Sequence, residues 1–267
     1  LSKERESYKV GYIIEVILGC NRCINNTNGS VLYVGDSQGG MTDEIMKFQI
    51  RKTIEEHLKK EKRLNPKGIK VLSLFFIDRV SNYRSYDDSG DSVPGKFAIW
   101  FEEIYNSFIS QPAFSNLNKD EVSKVHNGYF SADKKGLFKD TSGETQADDD
   151  TYKLIMQDKE RLLDIENPLR FIFSHSALRE GWDNPNVFVI AKLRSSGSEI
   201  SKIQEVGRGL RLPFDENGTR QSQQTGEDFR LTYIIDFSER DFAKKLIGDI
   251  NADGGKLAEG KITDQLL

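Results

Sequence analysis

Ten residues, IKVLSLFFID (69–78), constrain the fold more than any other stretch. Between Lys70 and Asp78 they hold one hydroxyl and no charge. A strand so continuously apolar is buried on both faces, which is the habit of parallel sheets covered by helices on either side. LRFIFSH (169–175), NVFVIAKL (186–193) and LTYIIDF (231–237) repeat the pattern, and VSKVHNGYF (122–130) offers a further strand. Helical segments separate them. DEIMKFQIRKTIEEHLKKEKRL (43–64) carries Ile50, Ile54 and Leu58 at i, i+4 and i+8, with Thr42 placed to cap it. FAIWFEEIYNSFI (97–109) and YKLIMQDKERLLD (152–164) have helical length and mixed polarity. Strands alternating with helices predict an α/β doubly wound layer, whose ligands bind at the carboxyl ends of the strands. The start of the chain differs: YKVGYIIEVILG, NNTNGS and VLYVGD alternate β-favouring runs with turn residues. They predict a β-hairpin or small meander too thin to stand alone. The expected division is a connector over 1–41, a main domain over 42–250 and a tail over 251–267.

Composition narrows the function classes. With 37% hydrophobic residues among 267, the chain can bury a real core. A formal charge of −4 excludes a surface coated in basic groups, so contact with nucleic acid rests on a local cluster of Lys and Arg. No apolar stretch has the length of a membrane span and no charged-then-apolar leader is visible, which predicts a soluble cytoplasmic protein with no membrane partner. The two cysteines, in CNRC (20–23), form half a zinc site at best, and a pair of reduced thiols on a β-ribbon is the preferred reading. No metal ligands are assigned. The stretch 131–150 ends in TSGETQADDD and is expected to be a mobile surface loop rather than a cation site.

Two segments hold the chemistry. In EISKIQEVGRGLRLP (199–213), a period of 3.6 places Gln204, Gly207, Arg208 and Arg211 at i, i+3, i+4 and i+7, on one helical face. Ile203, Val206 and Leu210 form another face, suited to packing on a sheet. A glycine inside a helix costs about 0.8–1.0 kcal/mol relative to alanine, so Gly207 and Gly209 imply a close approach by backbone or ligand. Pro213 stops the helix. The plain alternative is a solvated helix whose arginines make salt bridges. In SHSALREGWDNPNV (174–187), Gly181 permits backbone angles closed to other residues, and Asp183 with Asn184-Pro185 makes a tight turn. Ser174 and Ser176 offer hydroxyls suited to a phosphodiester backbone, and Asp183 an acceptor for a ribose hydroxyl or for the arginines. Here the plain alternative is a turn that merely joins two strands.

Taken in order, these two segments resemble motifs V and VI of superfamily 2 helicases and translocases. More specifically, SALREGWDNPNVF followed by QEVGRGLRLP is similar to the restriction (Res) subunit of type III restriction-modification enzymes. IKVLSLFFID is similar to motif IV of that family, and VHNGYFS, KKGLFKDT, LIMQDKERLL and PLRFIFSHSALREGWD extend the resemblance over most of residues 42–237. The resemblance implies a RecA-like second motor lobe, with helices on both faces of a mainly parallel sheet. ATP and Mg2+ then lie between two lobes, their principal ligands on the first. Neither GxxxxGK[ST] nor an acidic pair following an apolar strand occurs here, so the sequence is expected to be a fragment of a longer parent chain.

By the same resemblance Arg208 and Arg211 reach the terminal phosphates of ATP, one as an arginine finger, while Gln204 orders the attacking water or the phosphate contacts and Gly207 lies beside them. Gly181 and Asp183 belong to the nucleotide side of motif V, and Ser176 and Arg179, with Ser174, to the DNA side. His126, in VHNGY, matches a position near the DNA-facing side, although a lone histidine at a strand end also has a structural reading. Trp182 stands where many helicases hold a smaller residue. The implied function is one lobe of an ATP-dependent DNA motor within a type III restriction endonuclease. Its partners are double-stranded DNA, the first RecA-like lobe and nuclease domain of the parent chain, and a modification (methyltransferase) subunit. A nucleic-acid-binding lobe without catalysis, and another superfamily 2 motor acting on RNA or in repair, are the alternatives. Residues 1–267 alone are expected to show negligible ATPase activity, because magnesium and triphosphate lack their main ligands; robust turnover by the purified piece would contradict this.

Overall fold

A computed structural model of the chain describes residues 13–19, 23–25, 31–33, 43–87, 92–117, 120–130, 154–155, 158–175, 184–194, 199–221 and 229–236, with isolated positions 239, 242, 244–246 and 248. In chain order the first strands are β1 (Ile13–Gly19), β2 (Cys23–Asn25) and β3 (Val31–Tyr33). Helix α1 (Asp43–Leu64) leads into β4 (Leu72–Ile77), and a ribbon of β5 (Arg84–Tyr86) and β6 (Ser92–Pro94) precedes α2 (Lys96–Ile109). The short α3 (Val122–Val125) runs directly into β7 (His126–Tyr129). Then come α4 (Lys159–Leu163), β8 (Phe171–Ser174), β9 (Val187–Leu193), α5 (Glu199–Gly207) and β10 (Arg230–Asp236).

Six strands form one sheet in the order β1-β10-β9-β4-β8-β7, and every pairing in it is parallel. The α/β fold class expected from the apolar runs is therefore the one observed. β4 is buried along its whole length, as a strand with neighbours on both sides and helices on both faces must be. On the first face, Phe75, Phe171 and Phe173 meet Ile50, Ile54 and Leu58 of α1 and Phe97, Phe101 and Tyr105 of α2. Phe75 and Phe173 stack with ring centroids 4.4 Å apart. On the second face, Leu74, Phe76, Ile172, Ile190 and Tyr233 meet Leu162 of α4 and Val206 of α5.

Helix α1 follows its sequence pattern: Ile50, Ile54 and Leu58 are fully buried, acidic Asp43 and Glu44 sit in the first turn, and Lys62 and Arg63 in the last. Thr42, proposed as its cap, lies outside the described residues. Of the helix expected over 152–164, the described portion is 154–155 and Lys159–Leu163, where the Asp158 carboxylate accepts from the Arg161 amide at 3.2 Å.

Two expectations need correction. VSKVHNGYF is not one strand: its first four residues wind a helical turn, because Val122 and Val125, three apart, both turn toward the first-face core, and the strand begins only at His126. Nor is the N-terminal region a single hairpin. β2 and β3 do pair antiparallel, but β1 adds to the large sheet, parallel to β10.

The amino edge of the sheet carries a buried polar network. His57 of α1 pairs its Nδ1 with the Ser73 hydroxyl at 2.7 Å, and Glu61, one turn on, accepts from Arg170 at 2.6 Å. Arg170 also donates to the Tyr105 hydroxyl at 2.8 Å. Burial alone would raise the Glu61 pKa, but His57 and the Arg170 charge outweigh it and bring it down to about 2. His126 is buried too. Its Nδ1 lies 2.9 Å from the Tyr83 hydroxyl and its Nε2 3.2 Å from the Glu102 carboxylate. A carboxylate only accepts, so Nε2 carries the proton and Nδ1 accepts from Tyr83. Burial, with Arg84 nearby, pushes the His126 pKa down to about 4.

These shifts fix the direction of an acid response. As pH falls below about 6.5, the unfolded chain protonates at His126 while the folded chain does not until about pH 4, so stability present above 6.5 is lost across that window. The loss is on the order of 3 kcal/mol. Glu61 adds a second loss as pH falls from 4.5 toward about 2. Urea midpoints measured from pH 7 to 4 should fall steeply for the native chain and markedly less for His126→Gln; equal slopes would remove His126 from the account.

Candidate functional site

The sheet reverses its winding between β4 and β9. The chain leaves β4 toward α2 on the first face and leaves β9 toward α5 on the second, so the carboxyl ends of these neighbouring strands form a topological switch point. Such a switch point is where doubly wound sheets bind ligands. Helix α5 borders it.

The helix is shorter than its periodicity predicts. It ends at Gly207, and the chain then tightens through bonds from Arg208 N to Glu205 O (3.4 Å), Gly209 N to Val206 O (3.0 Å) and Leu210 N to Gly207 O (3.4 Å). In such a turn residues three apart eclipse one another, which keeps Arg208 and Arg211 on one side although neither lies in the α-helix proper. Gln204, Gly207 and Arg211 are exposed and Arg208 is half-buried. Burial lowers the Arg208 pKa, Arg211 adds to the effect and Glu205 opposes it. The guanidinium remains charged at any physiological pH.

The inward face is not the one expected. Ile203 is 50% exposed, whereas Lys202, Glu205, Val206 and Gly209, at i, i+3, i+4 and i+7, are buried. The glycines likewise divide. A Cβ at Gly209 would come within 2.5 Å of Leu231 on β10, so its close approach is to the protein's own sheet, while a Cβ at Gly207 would meet nothing within 4 Å.

What the inward face meets is charge. Glu205, 1% exposed, accepts from the Arg194 guanidinium and lies 3.9 Å from the Lys192 ammonium, itself 1% exposed at the end of β9. Lys192 is also 3.2 Å from Glu239, which Lys202 approaches at 3.5 Å. Arg194 donates to the His175 carbonyl at 2.8 Å, and its guanidinium lies 5.7 Å from the Phe76 ring centroid. Burial, reinforced by Glu205 and Glu239, raises the pKa of the Tyr233 hydroxyl beside this set. None of these ion pairs was anticipated. The available signal was Lys192 itself, a charge inside the otherwise apolar VFVIAKL, which demands a buried partner.

Beyond the arginines the chain is anchored again. Asn186 accepts from the Phe214 amide at 2.9 Å and donates to the Phe214 and Lys70 carbonyls at 2.8 and 3.0 Å. The turn before β9 forms as expected, with the Asn184 side chain accepting from the Asn186 amide at 3.0 Å. Arg208 and Arg211 thus hang between an ionic fastening at Glu205 and a hydrogen-bonded one at Phe214.

The remaining predicted positions fare differently. Ser174 ends β8 at the carboxyl edge, but its side chain is fully buried. His126 begins β7 at the opposite edge, with both ring nitrogens engaged by Tyr83 and Glu102. Ser176, Arg179, Gly181, Trp182 and Asp183 lie outside the described residues, as do Cys20, the acidic run of 147–150 and the tail from 251. Among the described residues no group of three or more His, Cys, Asp or Glu could hold a metal ion, and no helix is long and apolar enough to cross a membrane. A cleft of about 290 Å³ lined by Glu61, Asn116, Asp120 and Arg170 belongs to the amino edge, away from the switch point.

Fold and topology define the class: one doubly wound α/β lobe in which helix α5 is followed directly by a turn that carries two arginines. Sequence comparison is more specific. The chain is 43% identical over 222 residues to the Res subunit of the type III restriction-modification enzyme EcoP15I of Escherichia coli, covering 79% of this chain and 22% of that protein. It is 41% identical over 228 residues to the Res subunit of EcoPI of Escherichia phage P1, with the same coverage of each. It is thus similar to type III Res subunits over most of its own length, and it spans 22% of the length of the curated relatives it matches. No known family's sequence profile matches it. Among solved structures, the helicase Lhr of Mycobacterium smegmatis, bound to ssDNA and AMP-PNP, superposes with a TM-score of 0.41 and 11% identity over 92% of this chain and 22% of that one. A likeness of that size adds nothing to the topology above.

The glycines supply a test of the packing. Gly209→Ala should lower stability by about 1–3 kcal/mol through overpacking against Leu231. Gly207→Ala should be neutral or raise stability by up to about 1 kcal/mol. Thermal melting of both variants decides the matter, and equal Tm shifts would contradict the contrast.

Proposed function

We propose that the chain is the second ATPase lobe of an ATP-dependent DNA translocase in a type III restriction endonuclease, RecA-like in its fold. One observation carries the reading: exposed Gln204 and Arg211 and half-buried Arg208 lie at or just past the end of α5, fastened before and after, in a chain similar to Res subunits. An exposed amide and two neighbouring guanidinium groups, one exposed and one half-buried, match the oxygens of a triphosphate, and arginine's planar fork suits such acceptors. The described residues thus fit the phosphate end of ATP. They gather no carboxylate cluster for Mg2+. On this reading its principal ligands belong to the first lobe.

ATP supplies the anhydride whose hydrolysis drives movement along duplex DNA. Arg208 and Arg211 stabilise charge developing on the transferred phosphoryl group, and Gln204 orients the attacking water or the phosphate. By resemblance to the family, Gly181 and Asp183 are assigned to nucleotide binding and Ser176 and Arg179 to contact with the DNA backbone. The buried hydroxyl of Ser174 ends the strand from which that loop departs. The first lobe, a nuclease domain and a modification subunit complete the enzyme, whose setting is cytoplasmic.

In the complete enzyme, Arg208→Lys and Arg211→Lys should each cut ATP turnover by about 10³-fold or more, since lysine keeps the charge but loses the fork. Native turnover in both variants would remove the assignment. Stimulation of the native enzyme by duplex DNA bearing its recognition site, and not by RNA, is the expected substrate response.

A further inference from the structure

The cleft of about 290 Å³ at the amino edge has no part in the reading above, yet its walls hold buried hydrogen-bonding groups that the described residues leave unused. Arg170 lines it while only 6% exposed. Its Nη1 is taken by Glu61 and its Nη2 by the Tyr105 hydroxyl, but its Nε–H meets no acceptor among the described residues. Asn65 lines the cleft just past the end of α1. Its amide orientation is fixed because Nδ2 donates to Glu61 at 3.3 Å, which leaves Oδ1 as a buried acceptor without a donor. Buried polar atoms of folded proteins are nearly always satisfied, so a lone donor and a lone acceptor on one cleft point to something that binds there.

We propose that this cleft binds an uncharged pyrimidine base or its nucleoside. The chemistry of the walls selects that class. Pro66, Leu117 and Ile165 offer apolar surface to the faces of a flat ring. The unused donor and acceptor suit an edge on which a carbonyl stands beside an N–H: the carbonyl accepts from Arg170 Nε, and the N–H donates to Asn65 Oδ1. A volume at the foot of the range for small-molecule sites holds one ring more readily than two. Charge disfavours the phosphorylated forms. The Arg170 fork is already spent on Glu61 and Tyr105, and the Lys62 ammonium donates to the Ala113 carbonyl at 3.2 Å. The half-buried carboxylate of Asp120, 3.6 Å from Arg170 Nη2, adds repulsion for a phosphate. The site stands apart from Arg208 and Arg211 and does not depend on the proposed motor function.

The test titrates the complete parent protein with uracil and with uridine, followed by ligand-observed NMR. Excess ATP is present throughout, so that any nucleotide site elsewhere is filled. Two further ligands serve as comparisons: 1,3-dimethyluracil, which keeps the ring and carbonyls but has no N–H, and uridine 5′-monophosphate, which adds charge. Uracil and uridine should bind saturably with dissociation constants on the order of 0.1–1 mM, and each comparison ligand about tenfold more weakly or worse. Asn116→Trp, at an exposed position on the cleft wall, should block uracil, and Asn65→Ala should weaken it about tenfold, both with a near-native Tm. No saturable binding by the native protein up to about 10 mM marks a cleft that holds solvent only and overturns the proposal. Undiminished binding in Asn116→Trp, or equal affinity for either comparison ligand, overturns it too. The ranking of ligands is measured on the native protein and needs no variant to fold.

Discussion

Among its described residues, helix α5 is held to the sheet by charge as much as by apolar contact. Val206, the bare backbone of Gly209 and, just beyond it, Leu210 meet the apolar layer. The rest of the fastening is Glu205 and Glu239 against Lys192, Lys202 and Arg194. Burying ions is expensive, and such pairs often contribute little net stability compared with well-packed apolar side chains. Their value here is directional. An apolar contact tolerates sliding by an ångström, whereas a forked guanidinium on a carboxylate sets rotation and height together. Three cations on two carboxylates leave this ion-paired set with a net positive charge.

The opposite edge of the sheet uses the same materials differently. His57, Ser73, Glu61, Arg170 and Tyr105 are tied to one another far from the strand ends where ligands bind, and they hold α1 and α2 against the first face. Between the two polar edges the layer is dry, a stack of phenylalanines on one face and branched aliphatics with Tyr233 on the other. The close-packed middle confers rigidity.

The architecture was legible in the sequence because its strands are unusually explicit. A run such as LSLFFI can satisfy itself only when covered twice, and its neighbours repeat that demand. Helix α1 was legible for a similar reason, since its apolar stripe is regular over several turns. Short elements escaped: the turn of 122–125 and the ribbon of β5 and β6 are too brief for periodicity to show. At the site, the identities of the outward residues were readable and the inward face was not. Hydropathy assigns Ile203 to the core and Glu205 to solvent, and the structure exchanges them because Lys192 and Arg194 are waiting beneath. Pattern alone cannot foresee a buried charge whose partners lie on another element.

The position of β1 has a consequence for how the chain assembles. Ile13 lies beside Arg230, so the stretch from α1 to β10 must be in place before this outermost strand finds its groove. Closing so long a loop is entropically costly and slow, whereas the core of β4, β8 and β9 joins much nearer neighbours. Until β1 arrives, β10 presents an unsatisfied ladder of amides and carbonyls, open to any passing extended segment. The late strand therefore acts as a seal, and a nascent chain that loses it exposes its stickiest border.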